Sequence, residues 1–150
     1  MDNNLKVIVT GELFDKDGNL KQKFVKHNLI TNKGYDFLCN AFANTTRPNP
    51  MKYIAVGSGT VAPKVTDTAL GREVVRQQAE FSHATNTNFL TLGTTLAAGV
   101  ATGALTEAGI FNASTGGDLF DRVTFPVINK DRLDTYRMTF NILFKESEVV

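Results

Sequence analysis

Strict alternation of apolar and polar positions dominates the chain. Between Asp134 and Phe144, the residues Tyr136, Met138, Phe140, Ile142 and Phe144 alternate with Thr135, Arg137, Thr139, Asn141 and Leu143. A period of two is the signature of a strand with one buried face. Near the N-terminus, Leu5, Val7 and Val9 alternate with Lys6, Ile8 and Thr10 and run on into Leu13-Phe14, which predicts a first strand. Asp15-Lys16-Asp17-Gly18-Asn19 follows, and Leu20 to Ile30 extends with Lys21, Lys23 and Lys26 interleaved. This reads as a hairpin on an Asp-Gly turn. Met51 to Val56, Val74 to Phe81 and Phe89 to Leu96 read as further strands. Leu105 to Phe111 and Leu119 to Pro126 are apolar runs on either side of a turn rich in Asn, Ser, Thr and Gly, a second hairpin.

One stretch departs from the period of two. After Thr31-Asn32-Lys33-Gly34, the residues Tyr35, Leu38, Cys39 and Phe42 fall at helical spacing, and Phe37 and Ala41 widen the stripe. The pattern predicts a helix over about 33–43, capped by Thr31 or Asn32. Its apolar stripe should face the core, with Cys39 on it as a buried thiol. Thr66 or Asp67 is placed to cap a single helical turn ahead of Glu73. Residues 44–50 read as a surface loop. Residues 97–103, small and poor in polar groups, read as a loop that orders against a neighbour.

The expected fold is mainly β: a single-domain antiparallel β-sandwich or jelly-roll-like arrangement of roughly eight strands, with one short α-helix. One domain spans 1–150, with short flexible tails at 1–4 and 145–150. Composition supports one domain, because 150 residues with 42% apolar and 21% charged content can bury a core without splitting in two. A net charge of +1 gives no electrostatic footprint for nucleic acid or an anionic membrane. A single cysteine excludes an internal disulfide and a cysteine-based metal cluster. The sequence shows no signal-peptide pattern and no window of 18 apolar residues, so folding in a cytoplasm is expected.

Candidate chemistry is sparse. Asp15, Asp17 and Asn19 match the start of a calcium loop, but Lys26 stands at the twelfth position where a bidentate glutamate is required. Gly57-Ser58-Gly59-Thr60 follows a strand in the manner of a phosphate-binding turn. However, Ala62 replaces the third glycine and Pro63 follows, so a tight turn is the better reading. His27 and His83 have no nucleophile or metal-ligand partner at a diagnostic spacing. Glu73, Glu80, Glu107, Asp118 and Asp121 are carboxylates of the kind glycoside hydrolysis uses, yet no spacing selects two of them, and Trp is absent. No catalytic, cofactor or metal residue is therefore assigned. Glu107 does stand out. A carboxylate among apolar residues requires a partner, and the arginines that punctuate apolar runs, Arg76 and Arg122, are the expected ones, within the chain or across a subunit boundary.

Three segments taken together resemble virion proteins of tailed bacteriophages. Asn28-Leu29-Ile30-Thr31-Asn32-Lys33-Gly34-Tyr35-Asp36-Phe37-Leu38 is similar to their passage from an Asn-Leu-hydrophobic strand into a helix. Tyr53 to Thr60, with Asp67-Thr68-Ala69-Leu70, Glu73 and Arg76, is similar to their hydrophobic-Gly-x-Gly-Thr…Asp-Thr-x-Leu segment. Thr106-Glu107-Ala108-Gly109-Ile110-Phe111, with Gly117, Leu119, Arg122 and Phe125-Pro126, resembles their Thr-Glu-x-Gly-hydrophobic-Phe hairpin. The resemblance spans roughly residues 5–144 in order. It implies a non-enzymatic particle protein, most simply a capsid-decorating (auxiliary or cement) or head-fibre-base protein. A tail, neck or fibre-attachment subunit is the alternative, and a carbohydrate-binding β-sandwich is a weaker one. The implied partners are the major capsid protein or tail and neck subunits, together with further copies of the chain, a trimer among the expected states. No nucleic acid, membrane or cofactor is implied, and the expected location is the virion.

Overall fold

The alternation near the C-terminus becomes the central strand of a five-stranded sheet, and every second residue of it is buried. The structure is a computed structural model describing residues 5–144; the tails expected at 1–4 and 145–150 lie outside the described residues. Its elements are β1 (Lys6–Phe14), β2 (Leu20–His27), β3 (Leu29–Ile30), α1 (Asn32–Ala43), β4 (Tyr53–Gly57), β5 (Glu73–Gln78), β6 (Glu80–Ser82), β7 (Phe89–Leu96), β8 (Gly103–Phe111), β9 (Leu119–Lys130) and β10 (Thr135–Leu143). Two antiparallel sheets form a sandwich, in the orders β2-β1-β10-β7-β6 and β3-β9-β8-β4-β5.

The core lies between the sheets. Val9, Leu13, Tyr136, Met138 and Phe140 from the first meet Ile54, Val56, Leu105, Ile110, Val123 and Ile128 from the second, all 2% exposed or less. Each such side chain contributes about 1.5–3 kcal/mol by leaving water, which makes this interface the main source of stability. Among the described residues two buried polar atoms have no hydrogen-bond partner, the Tyr136 hydroxyl in this core and the Asn28 side-chain oxygen.

Two runs that read as single strands are each divided between the sheets. Leu20 to Ile30 forms β2 at one edge of the first sheet, then turns at Asn28 into β3 at the edge of the second. The turn is fixed where the Asn28 N–H donates to Val7 O at 2.9 Å. Val74 to Phe81 lies within the β5 and β6 segments, which break at Ala79, whose N–H donates to Lys52 O at 2.7 Å. A strand that changes sheet closes the side of a sandwich, and here both sides are closed that way. Side chains tie the outer edge of β2 to the second sheet: Lys26 Nζ donates to Thr124 O at 2.9 Å and Gln22 Nε2 to Val127 O at 3.1 Å, while Lys21 Nζ reaches Asp134 Oδ2 at 2.7 Å.

The helix forms where expected, but only part of the predicted apolar stripe turns to the protein. Thr31 caps it: its hydroxyl oxygen accepts from Gly34 N at 3.0 Å, and the hydroxyl donates to Leu119 O at 2.6 Å. Gly34 is buried so tightly on β9 that a Cβ there would overlap the Phe120 carbonyl oxygen. Phe37 packs edge-on against Phe120 with ring centroids 6.4 Å apart. The helix is thereby buried through Gly34, Phe37, Leu38 and Ala41. Cys39, expected to be buried, is exposed, and so are Tyr35 and Phe42. The face containing glycine won because only it allows backbone to meet backbone.

Two further expectations fail. Residues 66–73 contain no helical turn, because this segment points its backbone N–H groups at a side chain. Residues 97–103 are fastened within their own chain: Gly99 N donates to Arg132 O at 2.7 Å, and the buried Lys130 Nζ donates to Ala97 O at 2.9 Å.

Candidate functional site

Glu107 lies on β8, level with Gly57 on one side and Thr124 on the other. Its neighbour Ala108 faces the core, so Glu107 points from the opposite face of the second sheet. There the 58–72 segment folds over it, and Glu107 is 0% exposed. Oε1 accepts from Gly71 N at 2.8 Å and from Arg122 Nε at 3.0 Å; Oε2 accepts from Arg72 N at 2.7 Å and from Gly59 N. Four donors converge on one carboxylate. Burial, the largest single influence, pushes its pKa up, but the N–H groups of Arg72, Gly71 and Gly59 with the Arg122 guanidinium together hold it below the ordinary carboxylate value.

Arg122, on β9 and 3% exposed, completes the arrangement. Besides Glu107 it reaches Asp67 Oδ2 through Nη1 at 3.0 Å and Val61 O through Nη2 at 2.8 Å. One guanidinium therefore holds two points of the 58–72 segment against the β8–β9 hairpin. The Thr106 hydroxyl adds a third, donating to Gly59 O at 2.7 Å. Leu70 from the same segment joins Ala55, Phe111 and Leu119 in a small second core on this outer face. Gly59 is required by close approach: a Cβ would collide with the Glu107 carboxylate. Its N–H is already committed to Glu107, which explains why a Gly-x-Gly turn after a strand is not a phosphate cradle.

Arg76 does not reach Glu107. It pairs with Glu73 at 2.7 Å, donates to Ala113 O at 2.9 Å and Gly116 O at 2.7 Å, and lies 3.6 Å over the Phe111 ring. Its place is the tip of the β8–β9 hairpin. The other carboxylates have separate partners. Glu80 faces Arg137 at 3.6 Å and Asp118 faces Lys33 at 3.8 Å. Asp121, fully buried, accepts from Ile110 N at 2.9 Å and from Asn28 Nδ2 at 2.6 Å, at a register shift between β8 and β9. Burial drives the Asp121 carboxyl well above its ordinary value, offset in part by the Ile110 N–H. His83 has a ring nitrogen 2.8 Å from Phe89 O, and His27 is exposed. The Asp15 carboxylate accepts from Asp17 N and Asn19 N, both at 2.9 Å, as a turn requires. Among the described residues no group of three His, Cys, Asp or Glu is placed to hold a metal, and no helix is long and apolar enough to cross a membrane.

The backbone donors at Gly59, Gly71 and Arg72 and the tie from Arg122 to Asp67 are parts of the site that sequence reasoning missed. The only trace of them in the sequence is the cluster of glycines at 57, 59 and 71. A second feature it missed is an apolar cleft of about 220 Å³ at the α1 end of the sandwich. Phe37 and Leu38 of the helix form one wall, Leu90 and Ile142 another, and Phe81 and Phe144 stand at the rim, 66% and 50% exposed. Clustered exposed aromatics of this kind are a feature of contact surfaces in general.

Comparison of the chain with family models, curated proteins and solved structures returns no match.

Proposed function

We propose that this chain is a non-enzymatic structural subunit of a tailed-bacteriophage particle, most simply a capsid-decorating or head-fibre-base protein that works as a homo-oligomer against other virion proteins. The observation that carries the reading is the pairing of two features. The charged centre is closed by the chain's own backbone, with all four donors on Glu107 internal. An apolar cleft with exposed aromatics is instead left unfilled. Such a molecule is built to hold its shape and to stick. The three segments that resemble phage virion proteins also coincide with the parts that fix the shape: Asn28 to Leu38 with its Thr31 cap, Gly57 to Leu70 over Glu107, and the Glu107–Arg122 hairpin. In a lattice, many copies making modest contacts bind collectively far more tightly than one.

The test is quantitative mass spectrometry and antibody labelling of purified particles of the phage that encodes the chain. A copy number sufficient to tile a capsid lattice, with label over the head, is the expected result. Label confined to the tail or neck would move the chain to that part of the particle. Absence from particles would overturn the proposal.

A further inference from the structure

Helix α1 has a wider apolar surface than its own chain covers. With 3.6 residues per turn, Asn32, Lys33, Asp36 and Asn40 share one side, and apolar residues occupy the rest. Gly34, Phe37, Leu38 and Ala41 face the protein. Tyr35, Cys39 and Phe42 continue the apolar arc into solvent, with Tyr35 48% and Phe42 87% exposed. A helix that is apolar over most of its circumference belongs in an environment buried on more than one side.

Phe42 lies one helical turn beyond Leu38, and Leu38 is part of the cleft wall. A protruding phenyl ring and an unfilled apolar hollow thus stand side by side on one end of the molecule. Their sizes agree: an apolar cavity of about 150 Å³ admits a benzene ring, and this cleft measures about 220 Å³. The area agrees as well. At roughly 200 Å² per aromatic side chain, the exposed parts of Tyr35, Phe42, Phe81 and Phe144 leave on the order of 500 Å² per copy. Two copies together reach the ~1,000 Å² at which specific interfaces begin. The stripe contains no charge, since Lys33 and Asp36 lie on the other side of the helix, so like surfaces meet without repulsion.

We infer that the occupant of the cleft is a second copy of this chain, which inserts Phe42 between the sheets under α1. Because ring and hollow share one patch, the contact is made reciprocally by two copies or passed around a closed ring. The inference rests on the homo-oligomer of the proposed function and names the surface it uses.

Sedimentation velocity of the full chain over a wide concentration range tests it. The wild-type chain associates with rising concentration. Phe42→Ser and Phe81→Ser each weaken association by about thirtyfold or more, as loss of a central aromatic contact does. Both residues are exposed, so circular dichroism should show the fold of each variant intact. Cys39 supplies a second readout: alkylation of its thiol slows as wild-type chain associates and does not slow in Phe42→Ser. A monomer at every concentration, or association that both variants leave intact, overturns the inference. The virion reading fails separately. Incorporation into particles by a chain that is monomeric in solution removes the self-contact alone, and self-association without incorporation removes the particle assignment alone.

Discussion

Glu107 on β8 and Arg122 on β9 meet at 3.0 Å with side chains 0% and 3% exposed, and between them they clamp a loop that neither belongs to. The pair is buried because the 58–72 segment lies over it, and the segment lies there because the pair attracts its N–H and carbonyl groups. Breaking such a pair from one side leaves a charge buried without its counterion.

Arg122→Met is expected to destabilise the fold by about 3–5 kcal/mol, read as a lower urea midpoint. Glu107→Gln should behave similarly, because an amide NH2 would confront backbone donors that now meet an oxygen. Replacing both residues together should cost less than the two single changes added. A double variant whose loss equals the sum of the singles would show that the two side chains act independently.

Acid and neutral conditions should separate Glu107 from Asp121. Glu107 has its pKa lowered from the ordinary 4.5, so the stability it contributes is present above that value and is lost as pH falls through the folded value. Asp121 is shifted the opposite way, well above 3.8. Its contribution is present below 3.8 and is lost as pH rises through its raised folded value. Asp121→Asn should therefore stabilise the protein at neutral pH and lose that advantage in acid. The new amide can also donate to the Asn28 side-chain oxygen, which is buried without a partner, once the Asn28 amide turns over. Denaturant melts of both proteins between about pH 3 and 8 measure this. A constant difference across the range would sink the assignment.

Gly34→Ala tests why the helix presents the face it does. The added methyl meets the Phe120 carbonyl on a backbone that cannot move aside cheaply. The expected loss is about 1–3 kcal/mol, together with freer α1 amide exchange. Wild-type stability in this variant would mean that the helix does not need its close seat on β9.

Tyr136→Phe should raise stability. The hydroxyl is buried with no partner, an arrangement that costs about 1–3 kcal/mol relative to a satisfied one. The ring itself packs in the core and tilts against Phe125 at 6.4 Å. A fall in thermal midpoint on removing the oxygen would contradict this account.

Arg76→Lys should loosen the turn between β8 and β9 while sparing the Glu107 clamp. A lysine cannot reproduce the Glu73 pair, two carbonyl bonds and ring stacking from one planar group. Amide exchange is expected to accelerate at residues 112–118 and to stay unchanged at Gly59, Gly71 and Arg72. Acceleration at both places would join what the structure separates.

The strands were legible in the sequence wherever one face meets the core and the other meets water. Period-two alternation is a direct record of that geometry, and β1 and β10 follow it residue for residue. The Asp15–Asn19 turn and the Thr31 cap were equally visible, because each is decided by residues a few positions apart. Local pattern could not show where a strand leaves one sheet for the other, at Asn28 and Ala79, since the strand is extended on both sides of the break. Nor could it rank two apolar faces of one helix. The stripe of Tyr35, Leu38, Cys39 and Phe42, widened by Phe37 and Ala41, has the right spacing for burial, but only Leu38, Phe37 and Ala41 turn inward beside Gly34, and the carbonyl of Phe120, 86 positions away in the chain, decided the matter. The need of Glu107 for a cation was readable from its apolar neighbours. The choice of Arg122 over Arg76, the backbone donors at Gly59, Gly71 and Arg72, and the cleft beside Phe42 belong to the tertiary structure alone. Each depends on distances between segments that the chain brings together only when both sheets have formed.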